Sequence, residues 1–189
     1  MNISPIRRLL LHNIYGKVLD VGCGAGSQAL LLCIKHCQYV VGCDLFLPSL
    51  KKAKVVYDDV VYCDVQTLPF VEGRFDVVTA FEVVEHATYP NALKLIASLE
   101  KLGSRVVITT VQESGIDVTS KDLNAHKCLI LLKVFKEYGY KVRGIAPKGR
   151  IKSRLIYRLR KLWSYFYLPS ARDIIAIKRT PASSSAAEQ

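Results

Sequence analysis

Two carboxylates and two imidazoles occur in a pattern that could hold a metal ion or move protons. Glu82, Glu85 and His86 are spaced i, i+3 and i+4, so one helical turn would bring their side chains together. His126 follows at the predicted start of a later helix. This set suits Mg²⁺, Mn²⁺ or another first-row ion, and the imidazoles favour a transition metal. The alternative is that these residues line a pocket that binds no metal.

A glycine-rich turn follows the first predicted strand. The sequence VLDVGCGAG places Gly22, Gly24 and Gly26 between a buried strand and a helix. Glycines at this spacing allow backbone amides to approach a ligand closely at the carboxyl edge of a parallel sheet. By itself, this pattern is shared by dinucleotide sites and methyl-donor sites.

Three acidic residues near this turn sharpen the prediction. Asp20 lies two residues before Gly22, where its carboxylate could meet an ammonium group. Asp44 ends the second predicted strand, where it can accept hydrogen bonds from both hydroxyls of a ribose. Asp64 ends the third predicted strand and is placed to meet an exocyclic adenine amine. Three acids that end successive strands beside a glycine turn indicate one ligand site.

Two hydrophobic periodicities alternate along the chain and predict the elements that position these residues. Short β-branched runs predict strands, and segments of helical spacing separate most of them. We therefore predict a doubly wound, Rossmann-like α/β fold with a mostly parallel sheet covered on both faces. The predicted strands are residues 17–21, 39–44, 60–65, 75–81, 105–111, 140–145 and 173–178, and the predicted helices are 25–37, 48–54, 91–102 and 126–138.

The net charge of +11 is concentrated in the C-terminal third of the chain. Residues 133–180 hold 14 basic and 2 acidic residues, whereas residues 1–132 hold 13 of each. This asymmetry indicates an anionic partner, either RNA or an acidic membrane surface, contacted through residues 141–179. The alternative is a solvated basic face without a partner.

Residues 151–168 are predicted to form an inserted, basic amphipathic helix. Its apolar stripe could dock on the sheet beside the active site, lie on an anionic membrane, or combine with its basic face to bind RNA. The stripe consists of Ile151, Leu155, Leu159, Leu162 and Phe166, widened by Ile156, Trp163 and Tyr167, with Arg154, Arg158 and Lys161 on the opposite side.

Length and composition predict one soluble, cytoplasmic domain over residues 1–180, with peripheral attachment to a membrane as an alternative. The chain has 189 residues, of which 50% are hydrophobic, and no apolar run reaches the roughly 20 residues of a membrane span. Residues 181–189 are of low complexity and are predicted to be a disordered tail. Six cysteines form no CxxC pair and are expected to be core thiols.

The ordered motifs resemble those of class I S-adenosylmethionine-dependent methyltransferases of the type 11/23-like, ubiquinone-pathway-like group. The segments that carry the resemblance are VLDVGCGAGSQ, VVGCDL, VYCDV, LPFVEGRFDVVTAFEVVEH and RVVITTV, and they cover about residues 14–145. It implies a seven-stranded sheet whose last strand runs antiparallel to the others. A dehydrogenase is disfavoured, because Ser27 and Gln28 break the glycine spacing after Gly26.

The resemblance also implies that S-adenosyl-L-methionine is bound at this turn. Asp20 and the glycines would cradle the methionine part, Asp44 would hold the ribose, and Asp64 with the Val65 amide would face the adenine. The full implied donor set is Asp20, Gly22, Cys23, Gly24, Gly26, Asp44, Leu45, Asp64, Val65 and Phe81.

The pattern ExxEH with a distant histidine resembles two methyltransferase subfamilies. These are the ubiquinone-pathway catechol O-methyltransferases and the small-RNA 3′-end 2′-O-methyltransferases, in which a divalent ion would lower the pKa of a hydroxyl. We expect methyl transfer to a small-molecule or lipid-linked acceptor, at oxygen, with Glu82, Glu85, His86 and His126 on the acceptor side. The alternatives are an RNA 2′-O-methyltransferase that uses a metal and a donor-binding partner subunit without activity of its own. The rest of the pocket is expected to come from residues 112–126, from the basic helix, or from a second subunit in a homodimer.

Overall fold

Seven strands, joined mostly by helices, form one sheet with the order β3-β2-β1-β4-β5-β7-β6. The computed structural model describes residues 5–112, 117–120, 122, 125–147, 154–166 and 171–181. The strands are β1 (Gly16–Val21), β2 (Cys37–Asp44), β3 (Asp59–Tyr62), β4 (Val77–Phe81), β5 (Arg105–Val111), β6 (Lys141–Pro147) and β7 (Ala171–Arg179). The α-helices are α1 (Pro5–Asn13), α2 (Gln28–Leu31), α3 (Leu47–Ala53), α4 (Tyr89–Leu102), α5 (Leu132–Glu137) and α6 (Arg154–Phe166).

Strand direction confirms the predicted α/β class. β1 pairs in parallel with β2 and β4, and β2 pairs in parallel with β3. β7 runs antiparallel to β6, as the predicted last strand should. The central strands are buried, near-continuous apolar runs, which is the usual composition of parallel strands covered on both faces.

The contacts within the chain divide it into two compact units. Within the described residues, the first unit contains 5–81, 94–107 and 179–181, and the second contains 82–93 and the described part of 108–178. The first unit is built on β1 to β4, with buried side chains such as Val18, Leu19 and Val78. The prediction of a single domain over residues 1–180 stays a prediction.

The second unit contains β6, β7, α5 and α6. Its buried apolar side chains include Phe135, Ile174 and Ile175. α6 packs on β6 at Gly144, because the backbone oxygen of Ser164 occupies the space that a side chain at position 144 would need. The absence of a Cβ at this position therefore sets how closely the helix approaches the sheet.

Two of the predicted helices are shorter than expected. Instead of a helix over 25–37, α2 covers one turn and a 3₁₀ helix covers Ile34–His36. Here the amide of Cys33 donates to the oxygen of Leu30 and that of His36 to the oxygen of Cys33, both at 2.8 Å. These three-residue spacings tighten the chain before β2 begins.

The predicted helix over 126–138 is reduced to α5, Leu132–Glu137. The amides of Lys127 and Cys128 donate to the backbone oxygen of Glu85, at 2.7 and 3.1 Å. Because these amides are bonded to another part of the chain, residues 125–131 form an irregular segment and not a helix. His126 therefore does not open α5, contrary to the prediction.

Two strand boundaries also differ from the prediction. β3 ends at Tyr62, so Asp64 lies in the turn after the strand and does not end it. β4 begins at Val77, and Phe75 forms only an isolated bridge with Gly103. Some residues lie outside those that the structure describes: 113–116, 121, 123 and 124 after β5, 148–153 and 167–170 around α6, and 182–189 of the predicted tail.

The state of the cysteines and the apolar content of the helices bear on two further predictions. All six cysteines are free thiols. Four of them are buried, as expected of core thiols, whereas Cys37 and Cys63 are half-buried. Among the described residues, no helix has both the length and the apolar content needed to cross a bilayer.

Candidate functional site

The glycine turn after β1 adopts a backbone conformation that favours glycine. Gly22, Gly24 and Gly26 have φ angles of 67°, 54° and 109°, which L side chains rarely adopt. A Cβ at Gly24 would meet nothing within 4 Å, so the space beside this residue is open. The turn is held at its base by the amide of Cys23, which donates to the oxygen of Cys43 at 3.0 Å. It therefore leaves room for a ligand to approach the backbone.

Asp44 joins this turn to the end of β2. Its Oδ2 accepts a hydrogen bond from the amide of Gly24 at 2.8 Å, and its Oδ1 accepts one from the amide of Phe46 at 2.7 Å. The carboxylate is half-buried, so it keeps access to solvent beside the open space at Gly24. Each oxygen has a second lone pair, which could accept from a ribose hydroxyl. The structure thus places Asp44 where the sequence predicted it.

Asp20 is buried beneath the turn. It lies opposite Thr79 of β4 and Gly42 of β2 in the sheet. Its Oδ1 accepts a hydrogen bond from the Thr79 hydroxyl at 2.6 Å, and its Oδ2 accepts one from the Tyr57 hydroxyl at 2.7 Å. A direct contact between Asp20 and a ligand, which stays a prediction, would need these neighbours to move. In this structure the carboxylate supports the turn from below.

Tyr57 is a residue that the sequence interpretation missed. Its hydroxyl donates to Asp20 and accepts from the amide of Ser27 at 2.9 Å, so it connects the buried acid to the end of the glycine turn. The ring occupies the space that a side chain at Gly42 would need. A glycine inside a buried strand often marks such a close approach, and Gly42 was the available signal.

Asp20 predicts a pH dependence of stability. Burial raises the pKa of its carboxyl from 3.8 to about 6, against the lowering effect of the Thr79 and Tyr57 hydroxyls. The unfolded chain therefore releases this proton at a lower pH than the folded chain does. The stability that the protonated carboxyl contributes to the fold is lost as the pH rises from about 4 to about 6. The loss amounts to about 3 kcal/mol at most.

We expect Asp20→Asn to remove this dependence. The free energy of unfolding of the variant relative to the unchanged protein should rise by up to about 3 kcal/mol between about pH 4 and pH 6 and then stay level. Urea unfolding at a series of pH values measures this difference. A difference that stays constant across the interval would show that Asp20 titrates normally in the folded protein.

The other residues predicted to bind the methyl donor differ in how far they are buried. Asp64 is exposed, and its Oδ1 accepts from the amide of Gln66 at 2.8 Å. Val65 is half-buried in the same turn, and Phe81 is half-buried at the end of β4. Leu45 is exposed beside Asp44, whereas Cys23, within the turn, is buried.

In the second unit, the chain turns sharply as it leaves β4. Glu82 has a φ of 55°, an uncommon value for a residue other than glycine. Its amide donates to the oxygen of Thr109 in β5 at 3.0 Å, and its side chain is exposed. A 3₁₀ helix, Val84–His86, follows and orients the next two predicted residues. A strained backbone at this point is a feature often found at functional sites.

Glu85 is a fully buried carboxyl group. Its Oε2 accepts from the Thr110 hydroxyl at 3.1 Å, while its Oε1 has no hydrogen-bond donor among the described residues. Burial and the negative charge of Glu82 raise the pKa of this carboxyl to about 8. A buried polar atom without a partner is costly, so it indicates either a protonated acid or an absent ligand.

Two imidazoles complete the cluster. The ring centroids of His86 and His126 lie 5.1 Å apart. His86 Nδ1 lies 3.2 Å from the oxygen of Ala125, and because a carbonyl can only accept, this nitrogen carries the proton. His86 Nε2 is therefore left with a lone pair. One ligand atom each of Glu85, His86 and His126 lies within 4.8 Å of the others.

The cluster fits a divalent metal ion in its chemistry. A buried carboxylate oxygen without a donor and two imidazoles are ligands that first-row ions accept. The bond from His86 Nδ1 to a backbone oxygen is the outer contact that metal-ligating histidines commonly make. Glu82, the fourth residue of the predicted quartet, is not part of this group. The structure thus unites three of the four predicted residues.

The sequence is similar to known methyltransferases over much of its length. Residues 19–108 match the family described as "Methyltransferase domain". The ubiquinone biosynthesis O-methyltransferase of Bordetella bronchiseptica is 34% identical over 125 residues, which is 59% of this chain and 52% of that protein. The protein of the same name from Chromobacterium violaceum is 35% identical over 159 residues, covering 78% of this chain and 62% of that protein. The chain spans about half the length of the first of these relatives.

Solved structures show the same fold. A SAM-dependent methyltransferase from Archaeoglobus fulgidus has a TM-score of 0.60 at 20% identity, covering 92% of this chain and 94% of that one. Magnesium protoporphyrin IX methyltransferase from Synechocystis, solved with bound SAM, has a TM-score of 0.59 at 16% identity, covering 93% and 76%. Strand order, glycine turn and sequence similarity agree: residues 19–108 belong to the methyltransferase family that they match, and the fold is that of the class I S-adenosylmethionine-dependent methyltransferases.

Proposed function

We propose that this chain transfers a methyl group to a hydroxyl oxygen of a small-molecule or lipid-linked acceptor. The observation that carries the proposal is the cluster of Glu85, His86 and His126, which offers proton acceptors directly after the strand that follows the donor motifs. A hydroxyl must lose its proton to become a good nucleophile, so such acceptors suit transfer to oxygen. The names of the relatives, ubiquinone biosynthesis O-methyltransferases, also support oxygen as the acceptor atom.

The donor side is proposed to act through orientation. S-adenosylmethionine supplies an electrophilic methyl group on a sulfonium, and its displacement requires an in-line approach. The open backbone at Gly24 and the half-buried carboxylate of Asp44 fit a nucleoside with a ribose diol. Asp20, Tyr57 and Ser27 hold the turn in place and need no contact with the ligand.

The acceptor side is proposed to remove the proton from the hydroxyl group that becomes methylated. His86 Nε2 has the lone pair needed to accept the hydroxyl proton, since Nδ1 is held by Ala125. The acceptor oxygen then forms its bond to the methyl carbon as the carbon–sulfur bond breaks, and S-adenosylhomocysteine is released. Glu85 lies within reach of both imidazoles. Its carboxyl is neutral at pH 7, because its pKa is raised to about 8, but it loses its proton more readily beside an imidazolium and then stabilises that charge.

A metal-dependent form of this reaction is the second candidate. Glu85, His86 and His126 would hold Mg²⁺ or Mn²⁺, with Glu82 as a further carboxylate on the same short segment. The ion would supply Lewis acidity that lowers the pKa of a hydroxyl. It would direct the enzyme to acceptors with neighbouring hydroxyls, meaning catechols or the 3′ end of an RNA. The orphaned oxygen of Glu85 is the observation that favours this form.

The test pairs an acceptor comparison with a metal titration. Tritiated methyl donor is offered with a catechol, with the same ring carrying one hydroxyl, and with a short RNA, each with and without Mn²⁺. We expect label on oxygen of a small aromatic acceptor, and reduced transfer in His86→Asn but not in His36→Asn, a matched change at an exposed histidine. Label only on RNA would favour the RNA alternative.

A parallel calorimetric titration of Mn²⁺ and Mg²⁺ separates the two forms. The protein is saturated with S-adenosylhomocysteine and compared with a Glu82→Ala/Glu85→Ala variant. Binding that the variant loses supports the metal-dependent form, and no binding supports proton transfer by His86 alone. Transfer that occurs only after a second protein is added would overturn the proposal in favour of a non-catalytic partner subunit.

A further inference from the structure

We propose that α6 docks on an anionic lipid surface through apolar side chains that face away from the sheet. The described members of the predicted stripe are exposed: Ile156 to 50%, Leu159 to 60%, Leu162 to 51% and Trp163 to 60%. The reading in which this stripe packs on the sheet is therefore wrong for these residues. The inference goes beyond methyl transfer and does not rest on it.

The inner face of α6 explains why these side chains point outward. Ser164 is fully buried, and its backbone oxygen fills the space beside Gly144, together with the Cβ of Ala171. The helix thus approaches β6 closely at Gly144, through a small residue of its own, Ser164. Turning the leucines inward would require a wider gap between helix and sheet than the contact at Gly144 allows.

Helical geometry places the exposed residues on one side. Positions two and five residues before Ser164 lie roughly opposite it on a helix of 3.6 residues per turn, and these are Leu162 and Leu159. Ile156 and Trp163 are seven residues apart and share a line next to them. The 13 residues of α6 suit a helix lying along a surface.

Charge identifies the occupant of this face. The surrounding segment, residues 133–180, holds 14 basic and 2 acidic residues, and Arg160 on α6 itself is exposed. Apolar side chains with a tryptophan and flanking cations are the composition of helices that bind anionic bilayers. A second copy would bring two strongly positive segments together, and RNA would leave the exposed Leu and Ile side chains in water. An anionic lipid surface satisfies both the charge and the apolar area.

The experiment uses the only tryptophan of the chain as its probe. Trp163 emission of the full chain is recorded as vesicles are added, either of phosphatidylcholine alone or of equimolar phosphatidylcholine and phosphatidylglycerol. We expect a shift to shorter wavelength with the anionic vesicles, reduced at high salt, and little change with the neutral ones. Co-sedimentation gives the bound fraction independently.

Two variants make the test specific. Leu159→Gln/Leu162→Gln should weaken binding to the anionic vesicles by about tenfold or more, since both side chains insert. Val55→Gln/Val71→Gln, which changes two exposed valines elsewhere, should bind as the unchanged protein does. Circular dichroism and affinity for S-adenosylhomocysteine should be unchanged in both, so a folding defect is recognisable.

Three results would overturn the inference. The first is an absence of any spectral shift with anionic vesicles, and the second is equal loss of binding in both variants. The third is a shift that depends on protein concentration or on added RNA but not on lipid, which would assign the face to a second copy or to a nucleic acid.

Discussion

Asp44→Ala should weaken the binding of S-adenosylhomocysteine by about ten- to a hundredfold. The carboxylate accepts from the amides of Gly24 and Phe46 and is the group expected to hold the ribose. Hydrogen bonds to a charged group contribute about 1.5–3 kcal/mol each, and losing the ribose contact alone would give a change of this size. The loss of the bond to Gly24 would also release the turn. Isothermal titration calorimetry measures the affinity directly.

Asp76→Ala is the matched control for this change. Its carboxylate also accepts from a backbone amide, that of Lys17 at 2.7 Å, but this bond lies at the beginning of β1 and not at its carboxyl end. We expect an affinity within a factor of about two of the unchanged protein. If both variants lost affinity equally, the effect of Asp44 would be one of general stability. If neither did, the ribose would be held elsewhere.

The strands could be predicted from the sequence because each is marked by its own residues, a short run of apolar and β-branched side chains. β1, β2 and β5 are runs of buried apolar residues, and their predicted cores agree with the structure. The helices over 25–37 and 126–138 were overestimated because hydrogen bonds from elsewhere override helical periodicity. The backbone oxygen of Glu85, about 40 residues away, accepts hydrogen bonds from the amides of Lys127 and Cys128. No local pattern contains that contact.

In the candidate site, too, features marked by local sequence could be predicted, and features that depend on distant contacts could not. Acids and glycines at strand ends are visible as spacing, so Asp44 and the glycine turn could be placed in advance. Tyr57 and Thr110 could not, because each acts on a residue far away in the sequence, Asp20 and Glu85 respectively. Each supplies a hydroxyl to a buried carboxyl group, a requirement that appears only once burial is known. The direction in which α6 faces likewise depends on Gly144, seen only in the structure.

Glu85→Gln should reduce methyl transfer by about a hundredfold or more while leaving donor affinity unchanged. The substitution keeps the shape of a fully buried side chain, so no cavity forms. It replaces a carboxyl group, which can lose its proton beside an imidazolium or a metal ion at His86 and His126 and so stabilise that positive charge, by an amide that cannot ionise. Proton transfer by positioned groups is worth about 10²–10⁴-fold in rate, which sets the expected size. Single-turnover transfer at saturating donor and acceptor measures it.

Glu137→Gln, a matched change at an exposed position, should leave both quantities as they are. Glu82→Gln provides the informative comparison, since its exposed carboxylate lies outside the cluster of three but raises the pKa of Glu85. A smaller rate loss in Glu82→Gln than in Glu85→Gln would agree with a supporting role. Loss of donor affinity in Glu85→Gln, parallel to that in Asp44→Ala, would contradict the assignment, because the buried carboxyl would then serve the donor and not the acceptor hydroxyl.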